Sequence, residues 1–233
     1  MFTRIYRRFR YHLFAPMPSA RLSEKPVKDW VRKVRYNLFG QLPFLGRKRS
    51  YGETHKARTR RTREGFFDTY CRGRGLDIGY GGDPITPGVV GWDFEHGDAQ
   101  LLQGLDAASF DFVYSSHLLE HLPDCALALR NWWRVLKPGG YLILYLPHRD
   151  LYEKKRRLPS WFNEDHKHFF LPDRDDPPDT LGLVPLLERT LPDVRLIHCR
   201  TCDEGYVDPG PRLPREGEFS IELVAQKRVQ EGV

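Results

Sequence analysis

Leu76-Asp77-Ile78 runs directly into Gly79-Tyr80-Gly81-Gly82, so an apolar strand opens onto glycines. Glycine has no Cβ, and a backbone built this way turns tightly and lets a ligand come close. Alternating elements follow. Residues 89–94 and 110–115 read as a second and a third strand. Residues 118–136 read as a helix, with Leu122, Leu127, Leu129, Trp133 and Leu136 at helical spacing, stopped by Lys137-Pro138-Gly139-Gly140. Residues 141–146 are an almost unbroken apolar run, as in a strand at the buried centre of a parallel sheet. A helix is predicted over 179–191, and two late strands over 194–201 and 219–226, joined by a Gly/Pro-rich loop. Strands alternating with helices make an open, doubly wound α/β sheet.

The 233 residues suffice for one such domain and a small addition. The longest apolar run, residues 141–147, is far short of the roughly 20 residues of a membrane-crossing helix. Arg4, Arg7, Arg8 and Arg10 interrupt any apolar leader. Four cysteines do not make a disulfide framework in a chain this long, which predicts a reducing, cytoplasmic setting. The net charge of +6 is unevenly placed: residues 1–74 carry 20 Lys+Arg against 5 Asp+Glu, and the remainder carries 17 against 26. The expected division is a basic amphipathic helical extension, 1–50, and an α/β domain, 51–233. Within 1–15, Phe2, Ile5, Tyr6, Phe9 and Leu13 share one helical face opposite Arg4, Arg7 and Arg8. Val27, Trp30, Val31, Val34 and Leu38 repeat the spacing, and 52–70 reads as a third, strongly basic helix. Such an arm predicts a polyanionic partner. One reading is an anionic membrane surface met through residues 1–39, which makes the protein peripheral at the inner membrane. The others are nucleic acid, a phosphorylated substrate, or burial of the stripe against the fold or a second subunit of a homo-oligomer.

Three acidic positions add to the glycine loop. Asp77 lies two residues before the first glycine. The second strand ends in Asp93, where a carboxylate can accept both hydroxyls of a ribose. Asp98-Ala99 pairs a carboxylate with a small residue, suited to the edge and face of an adenine. A nicotinamide dinucleotide is disfavoured, because the third glycine of Gly-x-Gly-x-x-Gly would fall on Pro84. Taken in order, Leu76-Asp77-Ile78-Gly79-Tyr80-Gly81-Gly82, Phe110-Asp111-Phe112-Val113-Tyr114, Leu119-Glu120-His121 and Arg134-Val135-Leu136-Lys137-Pro138-Gly139-Gly140 resemble the motifs of class I S-adenosylmethionine-dependent methyltransferases. The resemblance is greatest to the methyltransferase type 11 group, often associated with bacterial surface-polysaccharide genes. It covers 75–146 clearly and 147–228 loosely. It implies a Rossmann-like class I methyltransferase sheet and S-adenosyl-L-methionine as cofactor. It implies that Asp77, Gly79 and Gly81 border the methionine part, that Asp93 meets the ribose, and that Asp98 with Ala99 lies near the adenine. Ser116 and His117 would face the sulfonium. The sequence departs from the family where Asp83 stands in place of the usual third glycine. Residues 79–88, with two prolines, are too few for a crossover helix, and 95–109 too few for a helix, a strand and a helix. Shortened first crossovers and a cofactor site open on its adenine side are therefore expected.

Two metal patterns compete with this. His117-Leu118-Leu119-Glu120-His121 matches a zinc-hydrolase spacing, yet the same segment fits the methyltransferase motif. Cys199 and Cys202 have no second cysteine pair. No metal is assigned. Residues 147–176 follow the carboxyl end of the apolar run at 141–146, where open α/β sheets bind ligands. An imidazole suits proton removal from a hydroxyl near neutrality, which makes His148, His166 and His168 the candidate catalytic residues and Tyr152 and Asp165 lesser ones. Histidines merely packed on aromatics, or grouped on a metal, are the other readings. The expected activity is O-methylation of a sugar or other hydroxylated acceptor, a small molecule or a glycan, with anionic and lipid-linked acceptors included. One rival is a nucleic-acid methyltransferase, with Arg58, Arg60, Arg61 and Arg63 tracking phosphates. The other is a non-catalytic binding protein that keeps the fold, which the intact glycine loop and Asp93 disfavour.

Overall fold

The computed structural model describes residues 53–208, 210 and 216–229. The expected extension over 1–50 lies outside the described residues. A six-stranded sheet organises the rest: β1 (Gly75–Ile78), β2 (Val90–Trp92), β3 (Phe110–Ser116), β4 (Leu136–Pro147), β7 (Val194–Cys202) and β8 (Ser220–Lys227). The order is β2-β1-β3-β4-β8-β7. Neighbours pair in parallel from β2 to β4, and β8 is antiparallel to both β4 and β7. Chain order reverses between β1 and β3, and the carboxyl ends of those two strands flank the crevice where such sheets bind ligands.

Period-two alternation sorts the side chains into two cores. Leu142, Leu144 and Leu146 of β4 and Ile221, Leu223 and Ala225 of β8 share one core with Leu129, Trp132 and Leu187. Ile143, Tyr145 and Val224 face the other, with Ala57 and Phe66. The first core is covered by helices α4 (Cys125–Val135) and α5 (Leu183–Thr190), the second by three short helices, α1 (Glu53–Lys56), α2 (Arg58–Arg63) and α3 (Phe66–Tyr70). Among the described residues no helix is long and apolar enough to cross a membrane.

Several expected elements change. The helix over 118–136 begins only at Cys125. Pro123 forces Leu122 into an extended conformation, and Asp124 then caps α4 by accepting from the Leu127 amide at 2.8 Å. Upstream of Pro123 only a 3₁₀ turn forms, Leu119–His121. The helix over 179–191 opens instead with a strand, β6 (Thr180–Gly182), which pairs in parallel with an unexpected β5 (Phe169–Leu171). The basic helix over 52–70 breaks into α1, α2 and α3, the last break falling at Gly65, where φ is +66°. The short crossovers are as expected: among the described residues no helix or strand forms in 79–89 or 93–109.

The arginines of α2 turn inward. Arg61 is fully buried; its Nε donates to Glu222 at 2.7 Å and its Nη1 to the Tyr114 hydroxyl at 3.0 Å. Arg60 reaches Glu218 at 2.9 Å and Glu222 at 3.0 Å, and Arg200 reaches Glu222 at 2.6 Å. Arg58 donates to the carbonyls of Pro84 and Ile85, and Arg63 pairs with Glu204 at 2.6 Å. The four arginines that suited a phosphate track thus have partners inside the domain. The cause is pairing: buried Glu218 and Glu222 need cations, and α2 supplies them.

Candidate active site

The glycine loop closes over the end of β1. The Gly79 amide donates to the Trp92 carbonyl at 2.7 Å, tying the loop to β2. Gly79, Gly81 and Gly82 all have positive φ, and no atom lies within 4 Å of where a Gly82 side chain would start. Asp93, just past β2, accepts from the Gly81 amide at 3.2 Å and the Phe94 amide at 2.8 Å. Asp77 is buried beneath the loop and accepts from the Ile85 amide at 2.7 Å. Burial pushes its carboxyl up to about 7. Ser116 Oγ, at the end of β3, is buried and has no hydrogen-bond partner among the described residues.

A second group assembles beyond β3. His117 has φ +48°, and its Nε2 lies 2.9 Å from Ser220 Oγ. Burial, and after it the nearby charge of Lys56, holds His117 well below the usual imidazole range. The 3₁₀ turn places Glu120 and His121 beside it. His166 arrives from the loop before β5, its ring 4.7 Å from that of His121. His166 Nδ1 lies 2.5 Å from Glu153 Oε1, and Glu153 belongs to a π turn, Arg149–Glu153, that follows β4. Tyr152 of that turn stacks on Phe219 at 5.0 Å and lies 5.4 Å from Phe162. Burial opposes a charge on His121, but Asp165 and Glu120 outweigh it and raise the imidazole; Asp165 in turn is drawn down to about 2, chiefly by its contact with His121 Nδ1 at 3.4 Å.

The expected site residues fall into three sets. Asp77, Gly79, Gly81 and Asp93 gather at the loop, and Ser116 and His117 stand at the adjoining end of β3. Asp98 and Ala99 start a turn that packs on α4: Asp98 accepts from the Gln100 amide, and the Ala99 carbonyl accepts from Trp132 Nε1 at 2.7 Å. The three candidate histidines have different partners. His166 joins the Glu120 group. His148 instead caps the π turn, its Nδ1 accepting from the Asp150 amide at 3.1 Å, and His168 Nε2 lies 3.4 Å from the Pro123 carbonyl. Glu153, Phe219 and Ser220 carried no sequence signal, since each enters the site only through tertiary packing.

Residues 76–144 match the family model described as a methyltransferase domain. Trans-aconitate 2-methyltransferase of Deinococcus radiodurans is 39% identical over 71 residues, covering 30% of this chain and 26% of that protein. Ubiquinone biosynthesis O-methyltransferase of Ralstonia nicotianae is 36% identical over 61 residues, covering 26% of each. The chain thus spans about a quarter of the length of the curated relatives it matches. A solved structure described by the conversion of a disulfide bond into a thioacetal group during echinomycin biosynthesis shares the fold, with a TM-score of 0.50 and 14% identity over 75% of this chain and 83% of that one. The matched segment runs from β1 into β4 and takes in the glycine loop at the end of β1 and the acidic residue just past β2, so this part of the chain is similar to the methyltransferase domain of the type 11 group of S-adenosylmethionine-dependent methyltransferases.

Proposed function

We propose that the chain methylates a hydroxyl oxygen of a sugar or similar hydroxylated acceptor. The crevice suits the cofactor: open space stands over Gly82, Ser116 offers a buried hydroxyl without a partner among the described residues, and Asp93 presents a half-exposed carboxylate. Asp93 would hold the ribose hydroxyls, Asp77 and the backbone of Gly79 and Gly81 the methionine part, Asp98 with Ala99 the adenine side, and Ser116 with His117 the surroundings of the sulfonium. S-adenosylmethionine supplies an electrophilic methyl carbon there when bound.

The observation that carries the acceptor side is the buried His166–Glu153 pair at 2.5 Å. Glu153 fixes the proton on Nδ1 and leaves Nε2 to receive one from an acceptor hydroxyl. Tyr152, Phe162 and Phe219 supply an aromatic wall for the ring that carries it. The proposed setting is the cytoplasm, at the inner membrane surface where residues 1–39 meet anionic lipid and the acceptor is lipid-linked or anionic. The deciding experiment incubates the protein with methyl-labelled cofactor and fractionated cell extract. Label is expected in glycan or glycolipid; label in RNA instead would replace the acceptor class. His166→Ala should lower turnover about 10²–10⁴-fold with cofactor affinity unchanged.

A further inference from the structure

Glu120 is fully buried, and neither of its carboxylate oxygens has a hydrogen-bond partner among the described residues. A desolvated carboxylate without a donor is a costly arrangement. Three imidazoles surround it: from Glu120 Oε1, His117 Nδ1 lies at 3.9 Å, His121 Nε2 at 3.8 Å and His166 Nε2 at 4.0 Å. These separations are too long for hydrogen bonds. They approach the spacing around a single cation, where tetrahedral ligands at about 2.0–2.2 Å from the metal sit about 3.3–3.6 Å from one another. The ligand atoms of Glu120, His121 and His166 all lie within 4.8 Å of one another.

The outer contacts point the same way. His166 Nδ1 meets Glu153 at 2.5 Å, and His121 Nδ1 meets Asp165 at 3.4 Å. Each imidazole therefore turns one nitrogen to a carboxylate and the other toward Glu120, the arrangement by which carboxylates orient metal-binding histidines. Ser160 Oγ anchors Glu153 in turn, donating to its second oxygen at 2.5 Å. Asn163 Nδ2 stands 3.4 Å from His121 Nε2, at the margin of a hydrogen bond.

We propose that Glu120, His121 and His166 hold one divalent transition-metal cation, with a further coordination position open to an oxygen of the acceptor. The acceptor part of this rests on the methyl-transfer reading above; the metal part does not. Two imidazoles and a carboxylate favour zinc or cobalt over magnesium, which prefers oxygen ligands. His166 then serves as a ligand, and the acceptor hydroxyl is activated by direct contact with the cation instead of by a free imidazole. The His-x-x-Glu-His spacing is used here without the helix that a zinc hydrolase requires, because the 3₁₀ turn brings Glu120 itself among the ligands.

The test strips the full-length protein with a chelator and titrates it with Zn²⁺, Co²⁺ and Mg²⁺ in the absence of cofactor. One Zn²⁺ or Co²⁺ per chain is expected, with a raised thermal midpoint, a Co²⁺ ligand-field absorption and no comparable effect of Mg²⁺. Glu120→Gln and His121→Ala should each weaken Co²⁺ binding at least tenfold, with S-adenosylmethionine affinity on the same samples changed less than threefold. Wild-type protein that binds the cofactor but takes up neither Zn²⁺ nor Co²⁺ overturns the metal site and leaves methyl transfer standing. Protein that takes up metal but not cofactor supports the site and overturns the methyl-transfer reading. If either variant fails to fold, the wild-type cobalt spectrum decides: imidazole and carboxylate ligation supports the site, and a spectrum of hydrated cobalt overturns it.

Discussion

Asp77 couples folding to a single proton. Its carboxyl is buried in β1, and burial lifts it to about 7, although the Ile85 amide and the more distant Arg61 charge favour the ionised form. An unfolded chain would hold the same group near 3.9. The sign follows: the raised value stabilises the ligand-free fold fully below about pH 4, and that contribution is lost as the pH rises through 7. A cofactor with an ammonium and a sulfonium favours the ionised form, so it should bind more tightly at pH 8 than at pH 6, by up to about tenfold per pH unit below 7. Calorimetry on wild type and Asp77→Asn checks this; a variant with the same pH dependence as wild type would assign the effect to another group. Asp93→Ala should weaken cofactor binding by about 1–3 kcal/mol, the cost of unpaired ribose hydroxyls. The placement of both residues beside the glycine loop was legible in the sequence, because each lies close to a strand end next to a glycine or a turn. The partners of His148 and His168 were not legible in this way. Proximity in sequence to the carboxyl end of a strand does not specify a side chain's partners, here the Asp150 amide for His148 and the Pro123 carbonyl for His168.

At the scale of elements, what period and punctuation specify came through, and what packing specifies did not. The apolar run of β4 and the glycine exit of β1 carry their own signals. The start of α4 does too, in Pro123 and Asp124, but helical spacing upstream masked it. β5 and β6 have three residues each and no alternation long enough to detect. The charge of α2 reads as a solvated basic face until Glu218 and Glu222 are placed beneath it, more than 150 residues later. That pairing makes α2 and β8 a single unit. Burial would raise Glu222, but His198, Arg61 and Arg60 outweigh it and hold the carboxyl well below the usual carboxylate range. Its contribution to stability is therefore present above the unfolded value near pH 4.3 and is lost as the pH falls below it, at up to about 1.4 kcal/mol per pH unit. Glu222→Gln leaves buried guanidiniums uncompensated and should cost about 3–5 kcal/mol at pH 7. In urea unfolding the gap between wild type and variant should narrow from pH 5 to pH 3. A gap constant across that range would mean that shape, not charge, holds the helix.

For the molecule as a whole, the internal use of the α2 arginines changes where its free positive charge lies. Residues 1–50 carry 13 Lys+Arg against 2 Asp+Glu, while 51–233 carry 24 against 29. By sequence the net positive charge is thus concentrated in residues 1–50, whose basic residues are interspersed with aromatic ones, and residues 51–233, which hold the glycine loop, are net acidic. A polyanion should therefore be met by residues 1–50 and repelled by residues 51–233, which favours an anionic membrane surface over a nucleic acid held by the acidic domain. Each basic residue near an anionic bilayer contributes about 1 kcal/mol. The full-length protein should float with anionic vesicles at low salt, remain behind with neutral ones, and be released as salt shortens the screening length. Replacing Arg7, Arg8, Lys28 and Arg32 together by Gln should weaken vesicle binding by about 10²–10³-fold, since four charges at that worth cannot be made up by the remaining apolar contacts. The thermal midpoint and cofactor affinity of the described domain should not change. RNA gel shifts on the same proteins separate the two surfaces: a full-length chain that stays in the buffer with anionic vesicles, yet retards RNA in a way the Gln variant does not, would put nucleic acid in the membrane's place.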